Sequence, residues 1–301
     1  MVLSDEEIKK LREAGRIAKT VREEAVRKTK PGTKLLELAE YIEKRIEELG
    51  GKPAFPVNIS INEEAAHYTP VIGDGKVIPE NSVVKIDIGV HVDGYIADTA
   101  TTVYFNPVHE GLVEASKKAL EKVIDNLKPG IKANDIGKIV EETITSLGYK
   151  PIRNLSGHSI DRYMIHSGKS IPNYNEIFSR WRLVDGVYAI EPFATNGVGY
   201  VKEKNIITIY SIKKISRIRL TSKEKSFLQN IWNERKKLPF TERWYKKLFD
   251  NVESLRNTLT LMMKRGIIHG YPLLIEKSGG LVSQFEHTII VSGREIIITT
   301  E

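Results

Sequence analysis

Apolar positions along this chain fall into two rhythms. Over residues 5–29, 35–49, 110–126 and 134–147 they recur every three or four residues, the spacing of a helix with one buried face, and each run is stopped by Pro or Gly. Strand-like runs follow each pair of helices. The longest, over residues 83–104, is broken by Asp93-Gly94, a dipeptide that favours a two-residue hairpin turn. With those two at the turn, paired residue numbers sum to 187, so Gly89 faces Asp98 and Asp87 faces Ala100. Asp87 and Asp98 then share one face as diagonal neighbours, roughly 7 to 8 Å apart at the backbone, with Gly89 leaving space between them.

The helical part also repeats. Residues 30–53 match residues 128–151 at a constant offset of 98, with ten identities in 24 ungapped positions. Lys-Pro-Gly-x-Lys recurs at 30–34 and 128–132, Leu49-Gly50 at Leu147-Gly148, and Lys52-Pro53 at Lys150-Pro151. His67 and His166 lie 99 apart, and Ile86-Asp87 has a counterpart in Ile190-Glu191. An internal duplication follows: two similar α+β halves that close around a shared face and bring their acidic residues and histidines to it.

Carboxylates in apolar strands need a counter-charge, because an isolated buried charge is far more costly than a paired one. A surface pair of Asp87 with Lys85 would leave the flanking Ile and Val unexplained. Two converging carboxylates suit one or two cations instead. Glu191 and Glu286 stand in similar apolar strands, Glu286 in the run 284–291, and His158 in a Gly-His-Ser turn. Together these are oxygen-rich ligands with one imidazole, the set for a pair of divalent first-row metals such as Mn, Fe, Co or Zn. Other chemistries fit poorly. Ser167-Gly168-Lys169-Ser170 lacks the earlier glycine of a phosphate-binding loop, Gly157-His158-Ser159-Ile160-Asp161 lacks the second glycine of a nucleophile elbow, and no dinucleotide-binding glycine run follows a strand.

Charge adds a feature the periodicity does not show. The chain of 301 residues carries +7 overall, but residues 212–270 hold 15 Lys and Arg against 5 Asp and Glu, and the remainder 31 against 34. All the basic excess therefore sits in one helix-patterned stretch containing Trp232 and Trp244, which reads as an insertion with its own small core. The division is 1–211 with 271–301 as the main unit and 212–270 as a basic helical insertion. The lack of Cys excludes disulfides, thiolate zinc sites and a cysteine nucleophile, and suits a reducing compartment. The acidic start has no signal-peptide order, and no apolar run reaches the ~18 residues of a membrane span. A cytoplasmic, monomeric protein without membrane contact is expected.

The ordered set Asp87, Asp98, His158, Glu191, Glu286 resembles the five-ligand dinuclear centre of the pita-bread metallopeptidases. The wording around it is similar to the type II methionine aminopeptidases: Ala65-Ala66-His67-Tyr68-Thr69-Pro70, Asn154-Leu155-Ser156-Gly157-His158-Ser159-Ile160, Ile165-His166-Ser167-Gly168-Lys169-Ser170, Ile190-Glu191-Pro192-Phe193 and Gln284-Phe285-Glu286-His287-Thr288. The basic stretch lies between Glu191 and Glu286, where type II members carry a helical insertion, and the chain looks like the short archaeal form. The resemblance implies a pita-bread fold of two pseudo-symmetric halves around a curved antiparallel sheet, two divalent metal ions per chain, and removal of the initiator Met from nascent polypeptide N-termini by attack of a metal-activated hydroxide on the first peptide bond. It also implies roles. Asp87 chelates one metal, Asp98 and Glu286 bridge both, His158 and Glu191 complete the other, and Glu191 is the general base. His166 stabilises the oxyanion and His67 bonds the scissile amide. Phe55, Ile165 and Tyr271 line the methionine pocket. His91, His109, His269 and His287 match no ligand position, and His287 is expected to point away from Glu286.

Two rivals remain. An X-Pro dipeptidase or aminopeptidase P shares the five ligands, but the insertion speaks against it. A non-catalytic ribosome- or RNA-binding protein on the same scaffold would lose ligands, and here all five are present. The charge of the insertion suggests a contact with ribosomal RNA.

Overall fold

Each half of the chain lays two helices against one face of an antiparallel sheet and leaves the other face for the partner half. The computed structural model describes residues 3–213 and 220–301. In the first half, α1 (Asp5–Lys28) starts at a Ser4–Glu7 capping box and α2 (Leu35–Glu48) follows Lys-Pro-Gly. Strands β1 (Lys52–Pro53), β2 (Asn58–Ile61), β3 (Glu64–Ala66), β4 (Val83–Val92) and β5 (Tyr95–Tyr104) come next. The second half repeats the plan with α3 (Glu110–Asn126), α4 (Ala133–Ser146), β6 (Lys150–Pro151), β7 (Ser156–Ile160), β8 (Ser170–Pro172), β9 (Gly186–Ile190) and β10 (Phe193–Thr195).

The repeat seen in sequence is a repeat in space. Helices α2 and α4 and strands β1 and β6 keep the offset of 98 at both ends. Gly32 and Gly130 both have φ of 81°, and Gly50 and Gly148 have 90° and 84°, a backbone region that glycine enters without steric cost. The same loop bonds recur as well: Gly32 N–H donates to Ile78 O and Gly130 N–H to Leu183 O.

Alternation along the strands then decides what faces inward. Ile86 and Ile88 pack with Ile59 beneath Ile17, Val21, Ile42 and Ile46 of α1 and α2, so Asp87 and Gly89 must point the other way. In the second half Tyr188, Ile190, Ile289 and Val291 pack under α3 and α4, while Ala189 and Ile290 join Phe55 and Ile165 on the inner side. The hairpin has the expected register, with Gly89 opposite Asp98 and Asp87 opposite Ala100. Asp93 and Gly94 have φ of 52° and 88°, as a turn of the primed type requires.

The long β11 (Val201–Ile212) carries the chain out to α5 (Ser222–Arg235), a short 3-10 stretch (Glu242–Leu248) and α6 (Val252–Lys264), and β12 (Ile268–Glu276) brings it back in antiparallel register. Between them Phe227, Ile231, Phe240, Tyr245, Leu255 and Met262 form a separate apolar cluster. The segment is not isolated: Leu238 is buried among Leu11, Phe55 and Ile165, and β12 pairs with β3. The basic run 214–219 lies outside the described residues.

Strands β14 (His287–Ser292) and β15 (Glu295–Ile298) complete the second-half sheet, ordered β15-β14-β9-β7-β8, while β13 (Val282–Gln284) pairs with β10 in a smaller sheet ordered β13-β10-β6. The run expected as one strand over 284–291 is interrupted at Phe285-Glu286. There Glu286 leaves its own ladder and bridges Ala100 of the first half, its N–H donating to Ala100 O at 3.1 Å. Thr288 strengthens the seam by donating to Asp98 O at 2.8 Å and accepting from Asp98 N–H at 2.7 Å.

Candidate metal centre

The seam between the halves delivers acidic groups to one place. Asp87 comes from the centre of β4 and Asp98 from β5, held by the hairpin register. Glu286 comes from the bridge, Glu191 from the end of β9, and His158 from β7, which pairs with β9. Asp98, His158 and Glu286 offer ligand atoms within 4.8 Å of one another. His158 Nε2 lies 3.6 Å from Asp98 Oδ2 and 3.7 Å from Glu191 Oε1. Gln284 donates to Glu286 Oε2 at 3.3 Å and to Glu191 Oε2 at 3.5 Å.

The electrostatics describe a site built for cations. Asp87 Oδ1, Asp98 Oδ1, Glu286 Oε1 and His158 Nδ1 are buried with no hydrogen-bond partner among the described residues, which a protein interior rarely tolerates. Burial pushes Asp87 up to about 7. Burial and then the neighbouring Asp87 and Glu191 hold Asp98 well above the usual carboxylate range. Glu191 and Glu286 move the same way, from burial first and the other carboxylates second. His158 is pushed down to about 3 by burial and the nearby His166, so it is neutral and keeps a lone pair for a metal. Divalent ions fit this set, satisfying the orphaned oxygens and removing the mutual repulsion. Lys85 is not the counter-charge: its Nζ donates to Asn62 O at 2.8 Å.

A pH dependence follows for the metal-free protein. Carboxyls whose native pKa is raised bind more protons folded than unfolded, so stability is lost as pH rises, for Asp87 between its ordinary 3.8 and about 7. The buried, neutral His67 and His158 act with the opposite sign over the same range, so the carboxyl contribution is read against a variant: the melting temperature of chelator-stripped wild type is expected to fall relative to that of stripped Asp87→Asn as pH rises through that range, and Mn or Co is expected to raise that of wild type at neutral pH. A difference between the two proteins that does not change with pH would contradict the site as described.

All ten residues singled out in the sequence line one cavity of about 340 Å³: Phe55, His67, Asp87, Asp98, His158, Ile165, His166, Glu191, Tyr271 and Glu286. His67 sits just past β3 in the left-handed region at φ of 66°, an uncommon place for a residue with a side chain. Its Nδ1 lies 3.3 Å from Pro272 O, and since a carbonyl only accepts, Nδ1 carries the proton and Nε2 is left as an acceptor. Burial and then the nearby His166 push His67 down to about 4, so it is neutral near pH 7. His166 stacks edge-on against His158 at 4.3 Å between ring centres and lies on the open side of the cavity. Tyr271 meets His67 edge-on at 5.6 Å, and its hydroxyl lies 3.0 Å from Ser211 Oγ.

Gly89 has a different task from the one expected. A Cβ there would stand 2.3 Å from the Phe55 ring, so the missing side chain seats Phe55 at the cavity wall rather than spacing the carboxylates. His287 points away from the cavity, to Thr300 Oγ1 at 2.8 Å, as strand alternation requires. Sequence reasoning missed Gln284, although its spacing of two from Glu286 was a usable signal. It also missed Asn58, which pairs opposite Asp87 and whose own Oδ1 is buried with no partner among the described residues. Pro239 reaches the cavity from the segment between β11 and β12, where no local pattern marks it.

Fold and site together define a metallopeptidase with two pita-bread halves. A model of metallopeptidase family M24 matches residues 9–292, and the chain belongs to that family. Within it, the chain is 47% identical over 299 residues, 99% of each chain, to a protein of Saccharolobus solfataricus named methionine aminopeptidase. It is 49% identical over 296 residues to one of the same name from Pyrococcus horikoshii, covering 98% of this chain and 100% of that one. A solved structure of a thermophilic Arx1 superposes with a TM-score of 0.85 at 16% identity, covering 99% of this chain and 91% of that chain, a likeness of fold alone. Family membership implies use of divalent metal. Among the described residues, no helix is long and apolar enough to cross a membrane.

Proposed function

We propose that this metallopeptidase is a methionine aminopeptidase that removes the initiator Met from nascent polypeptide N-termini. The observation that carries the reading is the meeting, in one cavity, of the acidic and imidazole ligand set with the apolar wall of Phe55, Ile165 and Tyr271. Near-full-length similarity to proteins bearing that name supports it over an X-Pro peptidase or a binding protein.

Asp87, Asp98, His158, Glu191 and Glu286 would hold two divalent ions, Co, Mn, Fe or Zn. When bound, such ions lower the pKa of a water towards neutrality and polarise a peptide carbonyl. Glu191 takes the proton from the attacking water and passes it to the departing amine. His67, with Nδ1–H committed to Pro272 O, accepts the N–H of the scissile amide at Nε2. His166 donates to the oxyanion that develops on the carbonyl. Phe55, Ile165 and Tyr271 bury the unbranched apolar side chain of the first residue, and exclude water from the reacting bond.

The test is an intact-mass measurement on a reporter protein beginning Met-Ala, incubated with metal-loaded enzyme, beside one beginning Ala-Pro. Loss of Met from the first alone is expected; trimming of the second alone would overturn the reading.

The division into a main unit of 1–211 and 271–301 and an inserted 212–270 belongs to the same proposal, as do a cytoplasmic monomer and a contact of the insertion with ribosomal RNA. Lys225, Lys237, Lys246 and Lys247 are exposed on the insertion and supply the positive surface, whereas Arg243, Arg256 and Arg265 are paired with Glu43, Glu242 and Glu224. Co-sedimentation with ribosomes at low salt that is lost at high salt is expected; absence from the pellet at both would remove the ribosome from the list of partners.

A further inference from the structure

We infer that the segment between β11 and β12 holds His67 in its working position, and that Arg243 is the positioning residue through which it does so. The inference rests on the reading of His67 as a substrate contact. His67 begins a loop that leaves β3 in the left-handed region, a conformation that persists only where the surroundings impose it. Tyr68 O accepts from Ile59 N–H and Thr69 N–H donates to Thr208 Oγ1, but the Thr69 hydroxyl, Pro70 O and the backbone of Ile72 are taken up by side chains of the inserted segment. Arg243 Nε donates to Pro70 O at 2.6 Å, and its Nη2 donates to Thr69 Oγ1 at 3.1 Å. The same guanidinium grips both oxygens of Glu43 on α2, at 2.7 and 2.8 Å. Trp244 Nε1 adds a third bond to Glu43 at 2.8 Å.

The clamp continues two residues on. Ile72 N–H donates to Glu242 Oε1 at 3.0 Å, and Ile72 O accepts from Arg256 Nη2 at 3.1 Å, while Arg256 and Glu242 pair with each other. Residues 69, 70 and 72 are therefore all fastened to one short stretch of the insertion and its following helix. Arg243 and Glu43 side chains are only 4% and 9% exposed, so their forked pair is dry and directional, a geometry that a lysine cannot reproduce. Arg243 does not line the cavity. A second route to the cavity runs through Glu43, whose Oε1 accepts from Val57 N–H at 3.2 Å beside the cavity-lining Asn58, and removal of His67 separates the two routes.

A double-mutant cycle on the metal-loaded enzyme, with Met-Ala-Ser as substrate, tests this. Arg243→Met is expected to lower kcat/KM by on the order of 10- to 100-fold, the scale of a small misplacement of a catalytic group. Metal affinity by calorimetry is expected to stay at the wild-type value, because Arg243 touches no ligand. Arg243→Lys is expected to recover only part of the loss. In a His67→Ala background the Arg243→Met change is expected to cost nothing further. An equal loss in both backgrounds, or no loss in either, overturns the proposal. If Arg243→Met does not fold, Arg256→Met makes the same test at Ile72, since its side chain is 47% exposed: the expected loss is smaller and again vanishes without His67. A His67→Ala enzyme with full activity would instead remove the reading of His67 itself, and the clamp's purpose with it.

Discussion

Glu286→Gln is expected to lower metal-dependent peptidase activity roughly 10³-fold or more, equivalent to about 4 kcal/mol of transition-state stabilisation. The residue is 2% exposed, and its Oε1 is buried with no hydrogen-bond partner among the described residues. Its backbone is anchored separately, the N–H on Ala100 O and the carbonyl accepting from Thr99 Oγ1 at 2.9 Å, so the bridge between the halves survives the substitution. Gln keeps the volume and removes one charge from a cluster whose members raise one another's pKa. The metal-stripped variant is therefore expected to melt higher than metal-stripped wild type, and to gain less on adding metal. Metal content after dialysis, measured with activity, checks both. Full activity with normal metal content would remove Glu286 from the site.

Glu191→Gln is expected to lower kcat by roughly 10²- to 10⁴-fold, the range for loss of a general acid–base group. Glu191 sits at the end of β9 beside His158, with Gln284 reaching one of its oxygens, so it is oriented from two sides. As proposed ligand and base together, it differs from Glu286 in its signature. The acidic limb of the pH–rate profile, which in wild type reports protonation of the base, is expected to disappear in whatever activity remains. A variant that keeps the acidic limb would move the base to another residue.

Much of this site was legible in the sequence because it depends on two short-range rules. Period-two alternation with Asp93-Gly94 at the turn fixed which residue Asp87 and Asp98 face, and the register is the one the turn dictates. The offset of 98 is carried by helix ends and left-handed glycines, local features that recur wherever the same segment recurs. The four helices begin and end within one residue of the spans their periodicity predicts. What was not legible depends on contacts between distant parts. The break at Phe285-Glu286 comes from a bridge to Ala100, nearly two hundred residues earlier in the chain. Gly89 could not be assigned to Phe55 without knowing that the chain before β2 crosses over β4. The charge of the basic stretch suggests a contact with ribosomal RNA, yet Arg235, Arg243 and Arg256 turn inward to carbonyls and carboxylates of the main unit or their own segment. Charge counting sees the sign of those residues and not their partners.

The most direct measurement is release of the first residue from Met-Ala-Ser, beside hydrolysis of an X-Pro dipeptide, by chelator-stripped protein with Mn, Co, Fe or Zn returned singly. Release of Met only when metal is present, with the X-Pro bond intact, is the expected result. Cleavage of the X-Pro bond in place of Met release would contradict it, as would inactivity towards both with every metal.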